Sequence, residues 1–165
     1  MLIDLPAVLH GWGPWVLLGI GLMVFVESGL LLPLLPGDSL LFTAGMLHMA
    51  LGVDVWVLTA VIVGAAALGS AVGYVLGVRF GHRLFKADAR VLTPARLHQA
   101  ESFFTRYGGR SIVLARFVPV VRTFLPLVAG AVEYPRRRFV AWNVLGALLW
   151  GGVLVAAGVW LGHVP

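Results

Sequence analysis

The sequence predicts an all-α, polytopic membrane protein with inverted-repeat architecture and two oppositely oriented re-entrant helical hairpins. Three observations carry that expectation. The first is composition: of 165 residues, 60% are hydrophobic and 12% charged, with a mean hydropathy of +0.97. A soluble domain usually carries about a quarter charged residues, and a disordered chain would be charge-rich and apolar-poor. The second is where the charge sits. The formal net charge is +5, yet no Lys or Arg precedes Arg79. The third is a loose internal repeat, PLLPGDSLLFTAG at 33–45 and PVVRTFLPLVAG at 119–130. Each run holds two prolines, closes on Ala-Gly and is soon followed by a full apolar span. Short Pro/Gly-interrupted apolar segments in matching positions of two halves mark the binding site of many transporters.

The elements follow in order within one membrane domain, 1–165. The first half covers about 15–78. Its opening stretch, 15–32, has one charge, Glu27, and then meets Pro33, Pro36 and Gly37, which a continuous helix tolerates poorly. A secretory signal would need a basic n-region, so this apolar stretch is expected to be retained. Asp38 and Ser39 are good N-cap residues, and 40–51 is apolar again but too short to span, since one crossing takes about 20 residues. Residues 55–78 form a span without charge. Gly69, Gly73, Gly77 and Gly81 recur along it every fourth residue, a stripe that lets another helix approach closely. Such a stripe serves packing inside the bundle or a homodimer interface equally.

A polar connector, about 79–110, carries seven basic residues against Asp88 and Glu101. Thr93-Pro94 reads as a helix start, and 95–107 as an amphipathic helix on the membrane surface. The positive-inside rule makes this connector cytoplasmic, and its short basic segments suit lipid headgroups better than nucleic acid. The second half, about 111–161, opens on 111–132, which holds Arg116, Pro119, Arg122 and Pro126 and reads as a broken hairpin entered and left from the cytoplasmic side. Arg136, Arg137 and Arg138 anchor the topology. Residues 139–161 form the last span, in which Asn143 is expected to hydrogen-bond a neighbouring helix.

Glu27, Asp38, Arg116 and Arg122 all fall in segments assigned to the bilayer. At roughly 2.5–3.5 kcal/mol each, four unpaired charges would cost about 10 kcal/mol, so they must pair, face water or hold a charged ligand. Glu27 and Asp38 lie about 20° apart around an unbroken helix but about 16 Å apart along it; the intervening prolines allow a bend that brings them closer. Arg116 and Arg122 would lie about 120° apart on a straight helix, and Pro119 permits a break that turns both into one cavity. Two guanidiniums there suit a phosphate, gripped bidentately. The two acids keep such a site neutral when empty or take up protons to couple transport. The alternatives are an Asp38 that caps its helix, a static ion pair between Glu27 and an arginine, and arginines that snorkel to the interface.

The run R-F-x-P-x-x-R-T-x-x-P-x-x-A-G from Arg116 to Gly130, followed by Arg138-Phe139, Asn143, Gly146 and Trp150, resembles the signature of the DedA family, also called the SNARE-associated or VTT-domain family. The run from Glu27 through Pro33 and Pro36-Gly37-Asp38 to Ala44-Gly45 resembles that family's other motif. The resemblance covers about 25–160. It implies a multi-pass protein of the bacterial cytoplasmic (inner) membrane with two re-entrant hairpins. It also implies substrate-binding arginines at Arg116 and Arg122 and proton-coupling acids at Glu27 and Asp38. Family members include translocases of undecaprenyl phosphate, and eukaryotic relatives are phospholipid scramblases.

The function expected is therefore flipping of a polyprenyl phosphate or another anionic phospholipid, with proton coupling. A general phospholipid scramblase and a proton-coupled transporter of small ions or drugs stay open as alternatives. An enzyme is not expected: no His lies in either hairpin core, Ser70 has no evident base partner, and there is no Cys. Neither a metal nor a cofactor is expected, since the five histidines lack ligand spacing.

Overall fold

In a computed structural model the protein is helical, and residues 5–29, 37–84 and 93–163 are described. Seven helices follow in order: α1 (Leu5–Gly29), α2 (Gly37–Leu47), α3 (Val55–Leu84), α4 (Pro94–Tyr107), α5 (Arg110–Ala115), α6 (Pro119–Ala131) and α7 (Arg136–Gly162). Among the described residues there is no strand. Three stretches are long and apolar enough to cross a membrane: Trp12–Gly29, Val55–Gly81 and Arg136–Gly162. The expected break at Pro33 and Pro36 lies outside the described residues.

Local chemistry sets the boundaries. The Asp54 carboxylate accepts the Trp56 and Val57 N–H groups at 2.8 and 3.2 Å, an N-cap that fixes the start of α3. At its other end α3 runs past the span expected at 55–78, to Leu84. Hydropathy falls where the lipid ends, but the backbone ladder does not. The expected helix at 95–107 is α4, which begins at Pro94. The broken segment resolves into two short helices: α5 ends at Ala115 with Arg116 as its C-cap, Val118 is extended (φ −114°, ψ 106°), and Pro119 opens α6. Pro126 sits inside α6 without ending it.

Close backbone approaches give the direction of each helix. Along α1 and α3, Gly13 lies by Val53, Gly21 by Val61 and Gly29 by Gly69, so the two run parallel and α1 ends beside the middle of α3. Gly37 touches Glu27, while Gly45 meets the Val155 backbone and Met46 meets Gly158 and Gly162. Helix α2 therefore returns, alongside α7, toward the end from which α1 came. In the second half Gly109 lies against Trp142 and Val113 against Gly146, so α5 runs with α7. Helix α6 runs with α3, where Pro126 meets Gly73, Leu127 meets Gly77 and Ala131 meets Gly81.

The glycine stripe is thus consumed within the chain. Gly69 receives α1, and Gly73, Gly77 and Gly81 receive α6; the stripe offers no surface to a second copy. A Cβ at Gly77 would overlap the Leu127 carbonyl, whereas Gly64 has nothing within 4 Å. Gly77→Val is expected to cost at least about 1–3 kcal/mol, because backbone cannot move aside as a side chain can. Gly64→Ala is expected to be neutral or to gain up to about 1 kcal/mol. Thermal unfolding of the two variants in detergent checks both; equal melting temperatures would refute the α3–α6 approach.

Two apolar clusters make the core. One joins Val24, Leu41, Leu58, Ile62, Trp150 and Val155. The other joins Tyr74, Phe104, Ile112, Leu125, Ala129 and Phe139; in it Tyr74 stacks on Phe139 at 4.4 Å and donates its hydroxyl to the Tyr134 carbonyl at 2.5 Å. Exposed tryptophans Trp12, Trp15, Trp56 and Trp160 gather at one end of the bundle. The arginines at the close of α3, the close of α4 and the start of α7 gather at the other. Aromatic residues favour the membrane interface, and Lys and Arg the cytoplasmic side.

Candidate functional site: a charged layer between the two cores

Between these clusters lies a layer of polar and charged side chains, at the level where α1 stops beside α3. Its acids come from the first half: Glu27 from the last turn of α1 and Asp38 from the first turn of α2. Its arginines come from the second half: Arg116 from the C-cap of α5 and Arg122 from the first turn of α6. Each half contributes one charge where a helix stops and one where the next begins.

Arg122 holds both acids. One guanidinium nitrogen donates to Glu27, and the other donates to Asp38 Oδ1 at 2.5 Å. The guanidinium also lies over the Trp150 ring, 4.9 Å from its centroid, a cation–π contact that strengthens as water is excluded. The side chains of Glu27 and Arg122 are 5% and 9% exposed, but that of Asp38 is 43% exposed. Access to the triad is therefore from the Asp38 side. Gly37 is required here, since a Cβ at that position would overlap the Glu27 carboxylate.

Arg116 is treated differently. It is buried, and its Nη2 donates to Asn143 Oδ1 at 2.5 Å, Ser70 Oγ at 3.0 Å and the Ala66 carbonyl at 3.4 Å. Asn143 in turn donates from Nδ2 to the Ala67 carbonyl at 3.0 Å. Gly146 leaves room for the arginine: a Cβ there would lie 3.0 Å from Arg116 Cδ. Among the described residues, no carboxylate lies within ion-pair distance of Arg116. The contacts on α7 of the two arginines, Asn143 and Trp150, are seven residues apart, hence on one face and about 10 Å apart along the axis.

All four charged residues singled out in the sequence thus meet in one layer, and neither arginine snorkels. The ion pair between Glu27 and an arginine, one of the alternatives, is present, with Arg122 as the partner. Asp38 sits inside the first turn of α2, where a helix N-terminus favours an acid, and its carboxylate engages Arg122. The sequence reading did not identify Ser70 as a partner of Arg116, Trp150 as the platform under Arg122, or Gly37 and Gly146 as the spaces those side chains occupy. A lone serine within an apolar span was the available signal for the first.

Apolar helices that break in mid-bundle around paired charges define a class: polytopic membrane proteins whose ionisable residues are gathered between spans rather than exposed to lipid. Within that class the chain belongs to the DedA family. The VTT domain matches residues 29–159. The chain is 40% identical over 167 residues to protein DedA of Escherichia coli, covering 99% of this chain and 76% of that protein. It is 42% identical over 144 residues to the membrane protein ML0287 of Mycobacterium leprae, covering 87% of this chain and 65% of that one. It is 39% identical over 144 residues to the inner membrane protein YghB of Escherichia coli, covering 86% and 66%. The chain spans about two thirds to three quarters of the length of these relatives. No solved structure matches.

Proposed function

We propose that the protein flips a polyprenyl phosphate, undecaprenyl phosphate by the family resemblance, across the bacterial cytoplasmic membrane, with the prenyl tail left in lipid. The observation that carries this reading is the division of labour between the arginines. Arg122 is neutralised by two acids, while Arg116 is held among neutral acceptors one step along the same face of α7.

Charge arithmetic gives the coupling. Two carboxylates and two guanidiniums sum to zero in the empty site. A phosphate monoester brings about −1.5 to −2, so a neutral loaded site needs Glu27 and Asp38 to take up protons. Protonation releases Arg122 to the phosphate, and Arg116 supplies the second guanidinium fork. Proton uptake and headgroup binding are then one event, and the exposed side of Asp38 is the route for both.

The halves supply the movement. We read α1–α2 and α5–α6 as re-entrant hairpins related by inversion. In support, α2 packs on the long helix of the second half and α6 on that of the first, each through the Ala-Gly pair that closes its repeat: Gly45 on Val155 and Gly130 on Tyr74. Rocking of one hairpin pair against the other opens the layer to alternate sides. We read the layer as a site of transport rather than catalysis, in which the Ser70 hydroxyl accepts a hydrogen bond from Arg116.

The test is movement of undecaprenyl phosphate in proteoliposomes with an imposed pH gradient. Saturable movement that follows the proton gradient and is competed by other polyprenyl phosphates is the expected result. Movement of ordinary phospholipids at similar rates would replace this reading with a scramblase. No movement of either by folded protein would overturn the lipid reading and leave ion or drug transport.

A further inference from the structure

The corner between α4 and α5, at the basic end of the bundle, is built with a precision that the charged layer does not require. Gly108 turns the chain with φ +59°, a conformation that favours glycine, and its N–H closes on the Phe104 carbonyl at 2.9 Å. The Ser111 hydroxyl donates back to the Gly108 carbonyl at 2.6 Å. At Gly109 a Cβ would overlap the Trp142 indole, so the corner is clamped onto α7. Its effect is to bring Arg106 and Arg110 to the rim of one groove of about 410 Å³.

The walls of that groove are Phe103 and Tyr107 from α4 and Leu114, Val118 and Val121 from the α5–α6 segment. All five are exposed in the isolated chain. Arg106 lies over the Tyr107 ring at 5.5 Å. Among the described residues no carboxylate lies within ion-pair distance of Arg106 or Arg110. An apolar trough with two cations at its mouth matches an amphiphile that is anionic at one end. A soluble anion would leave the trough empty, and an apolar helix would leave the arginines without partners.

We propose that this groove binds one anionic phospholipid of the cytoplasmic leaflet, with an acyl chain along Leu114, Val118 and Val121 and the phosphate between Arg106 and Arg110. The site lies at the basic end, where anionic headgroups concentrate. Its inner wall, Val121, directly precedes Arg122 in the chain. The proposal does not rest on the translocation reading, because occupancy is an equilibrium property that needs no gradient.

The test is native mass spectrometry of the full chain in detergent, titrated with dioleoyl phosphatidylglycerol and, separately, with dioleoyl phosphatidylcholine. One phosphatidylglycerol is expected to be retained in preference to phosphatidylcholine. Arg106→Gln should weaken retention about fivefold, and Arg106→Gln with Arg110→Gln about 25-fold, from the usual strength of an arginine near an anionic surface. Leu114→Trp fills the trough from its lipid-facing wall and should weaken retention of the same lipid with both arginines intact. Arg79→Gln with Arg83→Gln removes two exposed arginines from the same end and should change nothing. Equal retention of the two lipids, or wild-type retention by the double arginine variant, overturns the site. Equal loss in the Arg79/Arg83 variant would show diffuse surface charge instead. A lipid-independent dimer that Leu114→Trp converts to monomer would assign the groove to a second copy. Should Leu114→Trp fail to fold, the arginine variants decide, since both side chains face solvent.

Discussion

Replacing Arg122 by alanine is expected to cost about 3–5 kcal/mol of stability, the usual penalty for removing one partner from a buried ion pair. The magnitude follows from what is left behind. Glu27 would remain as a carboxylate with a side chain 5% exposed and its ion-pair partner gone, and Trp150 would lose the cation over its ring. The two acids differ in consequence. Asp38 is 43% exposed, so Asp38→Asn is expected to cost no more than about 1 kcal/mol, as for other water-accessible pairs. Glu27→Gln combined with Arg122→Gln replaces the buried charge pair by a neutral one of similar shape. It should recover most of the stability lost in Arg122→Ala, since replacing both members of a buried pair is often close to neutral. Transport should stay lost in that double variant, because only one of the two guanidiniums is left for the phosphate. Melting curves from tryptophan fluorescence in detergent, beside translocation assays, separate the two effects. An Arg122→Ala protein that melts with the wild type would mean that water reaches Glu27 and that the triad is not the buried junction described.

The long spans were legible because lipid imposes length and hydropathy on them: α3 and α7 lie where the uninterrupted apolar runs lie. The break between α5 and α6 was legible because Pro119 removes a donor and favours a first helical position. The four charged residues were legible from cost alone, since each demands compensation in a bilayer. Their pairing was not. Glu27 and Arg122 are 95 residues apart in sequence, and which arginine reaches the acids depends on how α6 seats against α3. Backbone approaches at Gly73, Gly77 and Gly81 decide that seating. The glycine stripe itself was visible, but whether a partner helix came from this chain or another copy was a question of tertiary packing. Ser70 illustrates the remaining gap: a serine inside an apolar helix can satisfy its hydroxyl on its own backbone one turn back, so the lone serine was a signal that did not say which partner it served.

Arg116 gives the sharpest separation between folding and function. Its guanidinium is held by Ser70, Asn143 and the Ala66 carbonyl, and Asn143 keeps its own bond to the Ala67 carbonyl when the arginine is removed. Arg116→Ala leaves no carboxylate stranded among the described residues, so its stability cost should stay at about 1–3 kcal/mol, the range for a lost polar contact in a buried site. Translocation should fall about 10- to 150-fold, the worth of one hydrogen bond to a charged group. Arg116→Lys keeps the charge but replaces a planar fork by a point charge, and should recover less than half of that loss on a logarithmic scale. Ser70→Ala and Asn143→Ala test the support around the guanidinium. If they position it, they should weaken the apparent affinity for the lipid while leaving the maximal rate largely intact, and Arg116→Ala should reduce both. The opposite ranking, with Arg116→Ala transporting like wild type and Arg122→Ala inactive although stabilised by a compensating Glu27→Gln, would put the phosphate on Arg122 alone. Arg116 would then be a structural bolt between α5, α3 and α7, and the case for a two-arginine grip would fall with it.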